Sequence, residues 1–427
     1  MSKPFRPDTI CVQAGWKPKK GESRVLPIYQ STTFKYDTTE EMGRLFALED
    51  EGYFYTRLQN PTNDAVAEKI AELEGGVAAM LTSSGQAANF YTIANLCQAG
   101  DHIVCSAKVY GGTFNLYAAT IKKLGIECTF VDPDASAEEI DKAFQDNTKA
   151  VVGETIANPA LTVLDIEKFA VLAHKHGVPL IVDNTFATPV NCRPIEFGAD
   201  IVTHSTTKYM DGHAMVVGGC IVDSGNFDWE AHAEKFPGLT TPDETYHGVV
   251  YTKQFGKKAF ITKATAQLMR DLGSIPSPMN SFLLNVGLET LPLRMEKHCS
   301  NAKKVAEFLK NHEKVEFVNC AMLEGDPYYE TAKKYMPNGT CGVLSFGLKG
   351  TKEDAVRFMD SLKLCAIVTH VADARTCVLH PASHTHRQMN DEQLREAGVT
   401  PGMIRLSVGI ENPADIIEDL EQALEQV

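Results

Sequence analysis

From about residue 64, short apolar runs alternate with amphipathic segments, and few folds other than a parallel sheet covered by helices can absorb that alternation. Val77–Leu81, His102–Ser106, Glu127–Val131, Ala150–Glu154, Val178–Val182, Ile201–His204 and Gly219–Val222 are the expected strands. Helices are expected between them, for example Ala137–Phe144 and Ile166–His176, the second stopped by Gly177. The first 60 residues break the pattern: Pro27, Gly52 and the aromatic run Tyr53-Phe54-Tyr55 predict an irregular arm that packs on a neighbouring subunit. Residues 224–259 show no period and predict an ordered loop insertion. Phe282–Leu309 reads as a long helix interrupted near Pro292, followed by a smaller α+β region. The division expected is an arm at 1–63, a large domain at 64–285 and a small domain at 286–427.

The 427 residues, 44% hydrophobic and 22% charged, suffice for two or three packed regions. A net charge of -14 repels phosphate backbones and anionic lipid, so nucleic acid and membrane surfaces are excluded in favour of small molecules. No stretch reaches the roughly 20 apolar residues of a spanning helix. The opening Met-Ser-Lys-Pro-Phe-Arg-Pro lacks the apolar core of a signal peptide. Eleven scattered cysteines, with no Cys-x-x-Cys pair, suit a reducing compartment, and a cytoplasmic location is expected. His380, His384 and His386, with His204 and His213 elsewhere, match no standard metal spacing, and no metal is expected.

Chemistry concentrates after two of the strands. Val178-Pro179-Leu180-Ile181-Val182 delivers Asp183 to the strand's C-terminal end, the edge at which open α/β sheets bind ligands. Alone, such a carboxylate is as often a cap for the next element. Past the strand Ile201–His204, Ser205-Thr206-Thr207-Lys208 puts hydroxyls and a lysine at the same edge. A lysine in such a place is ordinarily a solvated surface group. A Schiff-base lysine and an acid for a pyridinium nitrogen are nevertheless the two groups pyridoxal 5'-phosphate requires. Ser84-Gly85-Gln86, at a strand-to-helix turn, offers backbone donors for its phosphate, a weak signal when taken alone.

These residues belong to a longer series: Tyr55-Thr56-Arg57 with Asn60-Pro61-Thr62, Ser84-Gly85-Gln86-Ala87-Ala88, Tyr110-Gly111-Gly112-Thr113, Glu154-Thr155 with Asn158-Pro159, Asp183-Asn184-Thr185, Ser205-Thr206-Thr207-Lys208-Tyr209, His380-Pro381-Ala382-Ser383 and Arg405-Leu406-Ser407-Val408-Gly409. In that order they resemble the Cys/Met-metabolism family of fold-type I pyridoxal-phosphate enzymes over essentially the whole chain. The resemblance implies an α/β fold with a mostly parallel central sheet sandwiched by helices, a smaller C-terminal α+β domain and an N-terminal arm. It implies Lys208 as the Schiff-base lysine, Asp183 under the pyridine nitrogen with Thr185 beside it, and Asn158 near the ring hydroxyl. Ser84, Gly85, Gln86, Ser205 and Thr207 would hold the phosphate. Tyr110 would stack on the ring and move protons, and Arg405 would clamp the substrate carboxylate. Tyr55 and Arg57 would reach the site of the adjacent subunit, Tyr55 touching substrate there, in a homotetramer built from dimers with shared sites.

Within the family, the insertion beginning Asp223-Ser224-Gly225-Asn226-Phe227-Asp228-Trp229, with Arg270-Asp271-Leu272-Gly273 and Gly287-Leu288-Glu289-Thr290-Leu291, is similar to O-acetylhomoserine sulfhydrylases. That similarity implies O-acetylhomoserine and sulfide, or a small thiol, as substrates. Methionine γ-lyases commonly carry Tyr-Gly-Cys where this chain has Tyr110-Gly111-Gly112. Lyase and cystathionine γ-synthase chemistry, and a catalytically idle binding protein on the same fold, are the alternatives. One segment departs from many relatives, Val371-Ala372-Asp373-Ala374-Arg375-Thr376-Cys377, where a glycine and a serine are usual.

Overall fold

The computed structural model describes residues 5–381, 400 and 402–427. Ala382, Ser383, His384 and His386, which the sequence reading placed in a motif or weighed as metal ligands, lie outside the described residues. Seven strands form the larger sheet: β1 (Ala78–Thr82), β2 (His102–Ser106), β3 (Glu127–Val131), β4 (Thr148–Glu154), β5 (Leu180–Asp183), β6 (Ile201–His204) and β7 (Gly219–Asp223), in the order β1-β7-β6-β5-β4-β2-β3. The run from β3 to β6 is parallel, and β7 lies antiparallel between β6 and β1. Strands covered on both faces can be apolar throughout, and β2, β6 and β7 are buried at every position. His102 is admitted to that core because its two ring nitrogens meet Thr148 Oγ1 and Thr129 Oγ1 at 2.9 and 2.8 Å.

The arm is more ordered than its composition suggested. Pro7 starts helix α1 (Pro7–Gln13), and Thr38 with Glu41 closes a capping box on α2 (Thr39–Phe46). Asn60 then caps α3 (Pro61–Glu74), which ends on Gly75 in the left-handed region. The helix expected over 137–144 stops at Asp141. The insertion consists of short helical turns, Pro237–Thr240, Glu244–Tyr246 and Tyr251–Phe255. Its order comes from the Trp229 ring, stacked on Phe260 at 5.8 Å and edge-on to Phe236 at 5.0 Å. No helix among the described residues is long and apolar enough to cross a membrane.

A second sheet follows, β8 (Val315–Asn319), β9 (Val343–Leu348), β10 (Ala366–Ile367), β11 (Cys377–Leu379) and β12 (Met403–Ser407), in the order β10-β11-β12-β9-β8. Two helices lead into it, Pro278–Glu289 and Leu291–Lys310, and the break between them falls at Thr290, just before Pro292. Arg294 ties this junction to the loop after β6. Its buried guanidinium donates to the carbonyls of Tyr209 (2.6 Å), Met210 (3.4 Å) and Gly287 (2.6 Å), and burial pulls its pKa down to about 10. Arg294→Met would leave three carbonyls without their donor, so we expect a loss of about 3 kcal/mol in unfolding free energy, read by denaturant titration.

Candidate active site

The C-terminal ends of β4, β5 and β6 stand side by side, Glu154 opposite Asp183 and Asp183 opposite Thr203. The loops leaving them are knitted together by a buried polar network. Glu74 Oε1, at the end of α3, accepts from His204 (2.6 Å) and from Asn184 Nδ2 (2.9 Å), while Asn184 Oδ1 accepts from Thr155 Oγ1 (2.8 Å). His204 is thereby engaged with a carboxylate inside the core, and His213 meets the carbonyl of Asp211 at 2.6 Å.

Above that network, Thr185 donates its amide and hydroxyl to Asp183 Oδ1 (3.0 and 2.5 Å), and its hydroxyl oxygen accepts the Ser205 amide at 2.8 Å. The loops carrying Asp183 and Lys208 are therefore one hydrogen-bonded unit, and no described residue donates to Asp183 Oδ2. Thr207 Oγ1 is fixed by Gly218, donating to its carbonyl at 3.1 Å and accepting its amide at 3.0 Å.

Helix α4 (Gly85–Leu96) points its N-terminus at Ser205. Ser84 caps it by accepting the Ala87 amide at 3.1 Å, which leaves the first-turn amides of Gly85 and Gln86 available to an anion. A Cβ on Gly85 would lie 2.7 Å from Ser205 Cβ, so only glycine lets helix and loop close this cradle. Gln86 reaches sideways, Nε2 to Thr113 Oγ1 at 3.4 Å.

Two cations share the space beyond. Lys208 is partly buried, and burial followed by the charge of Arg405 pulls its pKa down to about 8. Arg405, on β12 of the second sheet, is only 4% exposed. Its Nη1 donates to Asn158 Oδ1 at 3.2 Å, and its Nη2 to the carbonyls of His370 (3.2 Å) and Thr369 (3.5 Å). Its Nε has no partner, and no carboxylate among the described residues forms an ion pair with it. A buried guanidinium lacking a counter-charge is an anion subsite in its chemistry.

Tyr110 stands exposed at the start of the short helix Gly111–Asn115. Its backbone amide donates to Glu154 Oε1 at 2.7 Å. A Cβ on Gly112 would fall 2.5 Å from Tyr110 Cε1 and 2.8 Å from Gln86 Nε2, so the bare glycine lets the phenol ring lie against the chain. Glu154 is a site residue to which the sequence reading gave no role, although it ends an apolar strand just as Asp183 does. Burial, then the nearby Asp183 charge, pushes its pKa well above the usual carboxyl range, and its Oε1 anchors the Tyr110 segment.

The structure brings Lys208, Asp183, Thr185, Ser205, Thr207, Ser84, Gly85, Gln86, Tyr110, Asn158 and Arg405 to this one edge. Arg57 Nη1 donates to the Arg270 carbonyl at 2.6 Å, and its guanidinium lies 5.2 Å from the Tyr55 ring centre. No hydrogen bond among the described residues joins either of them to Lys208, Asp183 or Arg405.

A family model described as Cys/Met metabolism PLP-dependent enzyme matches residues 8–425. The O-acetyl-L-homoserine sulfhydrylase of Leptospira meyeri is 45% identical over 100% of this chain and 98% of its own length. The homocysteine/cysteine synthase of Saccharomyces cerevisiae is also 45% identical, over 98% of both chains. Among solved structures, a Campylobacter jejuni chain assigned as an O-acetylhomoserine (thiol)-lyase, which carries N'-pyridoxyl-lysine-5'-monophosphate, superposes with a TM-score of 0.95. It is 37% identical and covers 99% of this chain, as this chain covers 100% of it.

An amine attacks an aldehyde only when neutral, so reductive alkylation of Lys208 in cofactor-free protein should rise with pH around a midpoint of about 8, well below that of ordinary lysines. Peptide mapping at each pH reads this, and Arg405→Met should move the midpoint upward.

Proposed function

The chain belongs to the Cys/Met-metabolism family of PLP-dependent enzymes, and we propose that it catalyses γ-replacement on O-acetyl-L-homoserine, exchanging acetate for sulfide or methanethiol to give L-homocysteine or methionine. The observation that carries this reading is the pairing of a lysine brought down to about pH 8 with a buried arginine that has no counter-ion among the described residues, beside an acid and an anion cradle at one sheet edge. That set fits the cofactor: backbone and hydroxyl donors for a phosphate, a carboxylate oxygen left open on Asp183, and a reactive amine. When bound, pyridoxal 5'-phosphate supplies an aldehyde for the substrate amine and a ring that takes up the electrons released at Cα.

The chain's own residues then divide the work. Ser84, Gly85, Gln86, Ser205 and Thr207 would hold the phosphate, and Asn158 would serve the ring hydroxyl. Asp183, oriented by Thr185, holds the proton on the ring nitrogen. Lys208 would supply the amine for the aldehyde and move the protons at Cα and Cβ. Tyr110 would cover the ring and, with Lys208, serve the proton needs of the departing acyloxy oxygen. Arg405 takes the α-carboxylate. The long insertion and the bare Gly112 support replacement over elimination.

Tyr55 and Arg57 are proposed to complete the site of a second subunit in a homotetramer built from dimers. The exposure of Phe46 and Tyr55 on the arm supports this, as does the bonding of Arg57 to the Arg270 carbonyl and, among the described residues, to neither Lys208, Asp183 nor Arg405. Residues 1–63 are then the arm, 64–285 the cofactor domain and 286–427 the small domain. Eleven free cysteines support a cytoplasmic location.

Cofactor-loaded protein incubated with O-acetylhomoserine should form homocysteine only when sulfide is present. 2-Ketobutyrate as the main product with and without sulfide would overturn replacement in favour of a lyase. Lys208→Ala should abolish turnover. Arg57→Ala should be nearly inactive, yet mixed and reassembled with Lys208→Ala it should recover activity that neither variant has alone. No recovery would count against shared sites.

A further inference from the structure

Away from the edge around Lys208, the insertion closes a cavity of about 340 Å³ against the C-terminal end of α4 and the start of β4, a size within the range of small-molecule sites. Lys263, on the helix Ala259–Lys263, forms part of its wall. The residue is 7% exposed, and its Nζ donates to the backbone and side-chain oxygens of Asn95 at 2.9 and 3.0 Å. An ammonium carries three hydrogens, whereas a neutral amine carries two and a lone pair. The two Asn95 acceptors therefore match the neutral amine and leave its lone pair over. No carboxylate among the described residues pairs with Lys263, and burial pulls its pKa down to about 8 against the charge of Asp243, the value Lys208 also has. Gly238 of the insertion lies over the amine: a Cβ there would stand 3.2 Å from Lys263 Cε and 3.6 Å from Nζ, so a side chain at that position would crowd it.

Two further lysines line the same cavity. Lys149 donates to the Lys235 carbonyl, and Lys235 donates to the carbonyls of Asp146 (3.1 Å) and Thr148 (3.2 Å). Carbonyls occupy N–H donors without cancelling their charge. Of the acids on the wall, only Asp101 comes within ion-pair distance of either ammonium, 3.6 Å from Lys149. Asp243 is already engaged by Thr245, Tyr251 and Gln267, and Glu244 is exposed. Burial, then the Lys149 charge, holds Lys235 below the usual lysine range. A nucleophilic amine and two under-compensated ammoniums around one cavity suit a guest with a carbonyl carbon at one end and a multiple negative charge at the other. We propose that this cavity is a second covalent site, in which Lys263 captures an aldehyde that carries a phosphate while Lys149 and Lys235 receive the phosphate. The amine nitrogen adds to the aldehyde carbon, both of its hydrogens leave with the carbonyl oxygen as water, and a C=N bond remains, with nothing oxidised or reduced. Once protonated, that nitrogen keeps one N–H for Asn95.

Pyridoxal 5'-phosphate itself is the probe. Cofactor-loaded protein is reduced with borohydride and desalted, which fixes the adduct already present, then given a further equivalent of the probe, reduced with borodeuteride and peptide-mapped. The deuterium-marked label should fall on Lys263 ahead of the exposed lysines. Pyridoxal, which lacks the phosphate, should need a roughly ten- to a hundredfold higher concentration for the same labelling, as loss of hydrogen bonds to charged groups implies. Inorganic phosphate should compete with the phosphorylated aldehyde and leave pyridoxal untouched. Lys263→Arg, which keeps the charge, should lose this label while retaining the first adduct. Lys149→Met combined with Lys235→Met should bring the phosphorylated aldehyde down to the level of pyridoxal. Label spread over the exposed lysines, or equal labelling of Lys263 by the two aldehydes, would overturn the proposal. Both of those outcomes are read on the wild-type protein, so they stand whether or not the variants fold. Homocysteine formation enters none of these readings, and its failure would touch only the reaction proposed above.

Discussion

Glu74 lies at the very end of α3, fully buried, and accepts hydrogen bonds from the residues that follow β5 and end β6. Without it, Asn184 and His204 would each lose a partner where no water can substitute, a cost of about 1–3 kcal/mol apiece. The same Asn184 holds Thr155 after β4, so a single carboxylate sets the relative height of three strand ends. Asp183, Glu154 and Lys208 ride on those ends. The catalytic edge is thus positioned from below, by groups that never meet a ligand, and Thr185 repeats the device one layer higher by joining Asp183 to Ser205.

The electrostatics of the edge run against those of the whole molecule. The chain carries a net charge of -14, yet the site gathers Lys208 and Arg405 with no ion-paired carboxylate among the described residues, and burial pushes the Glu154 carboxyl well above its usual range. Each of these states is costly in isolation: a depressed lysine, a guanidinium without an ion-paired partner among the described residues, and a buried acid beside a second carboxylate. Together they describe a place prepared for an anionic, amine-bearing guest. The folded chain stores the mismatch and the ligand relieves it.

The strands were legible because parallel strands covered on both faces are continuous apolar runs bounded by turn residues. Ile201–His204 and His102–Ser106 stand where the sequence put them, and Val77–Leu81 is displaced by one residue. The break before Pro292 was legible for the same local reason. What escaped was either short or tertiary. Helices α1 and α2 carry clear start signals, Pro7 and the Thr38–Glu41 box, but are too brief to display a period. The insertion is ordered by Trp229 meeting Phe236 and Phe260, contacts no linear pattern announces. Glu154 matters through a partner 44 residues away, Tyr110, so its residue type alone could not mark it.

One consequence follows from the lone antiparallel strand. Because β7 enters the sheet at the edge where β6 leaves it, the segment 205–218 departs and returns at the same rim, with Gly218 bonded to Thr207 across its mouth. Lys208 therefore sits on a span clamped at both abutments, unlike a lysine at the end of a swinging arm. Its backbone has little freedom left to lose when the amine is captured or released. The covalent bond proposed for Lys208 would be made and broken at every turnover while the frame that carries it stays still.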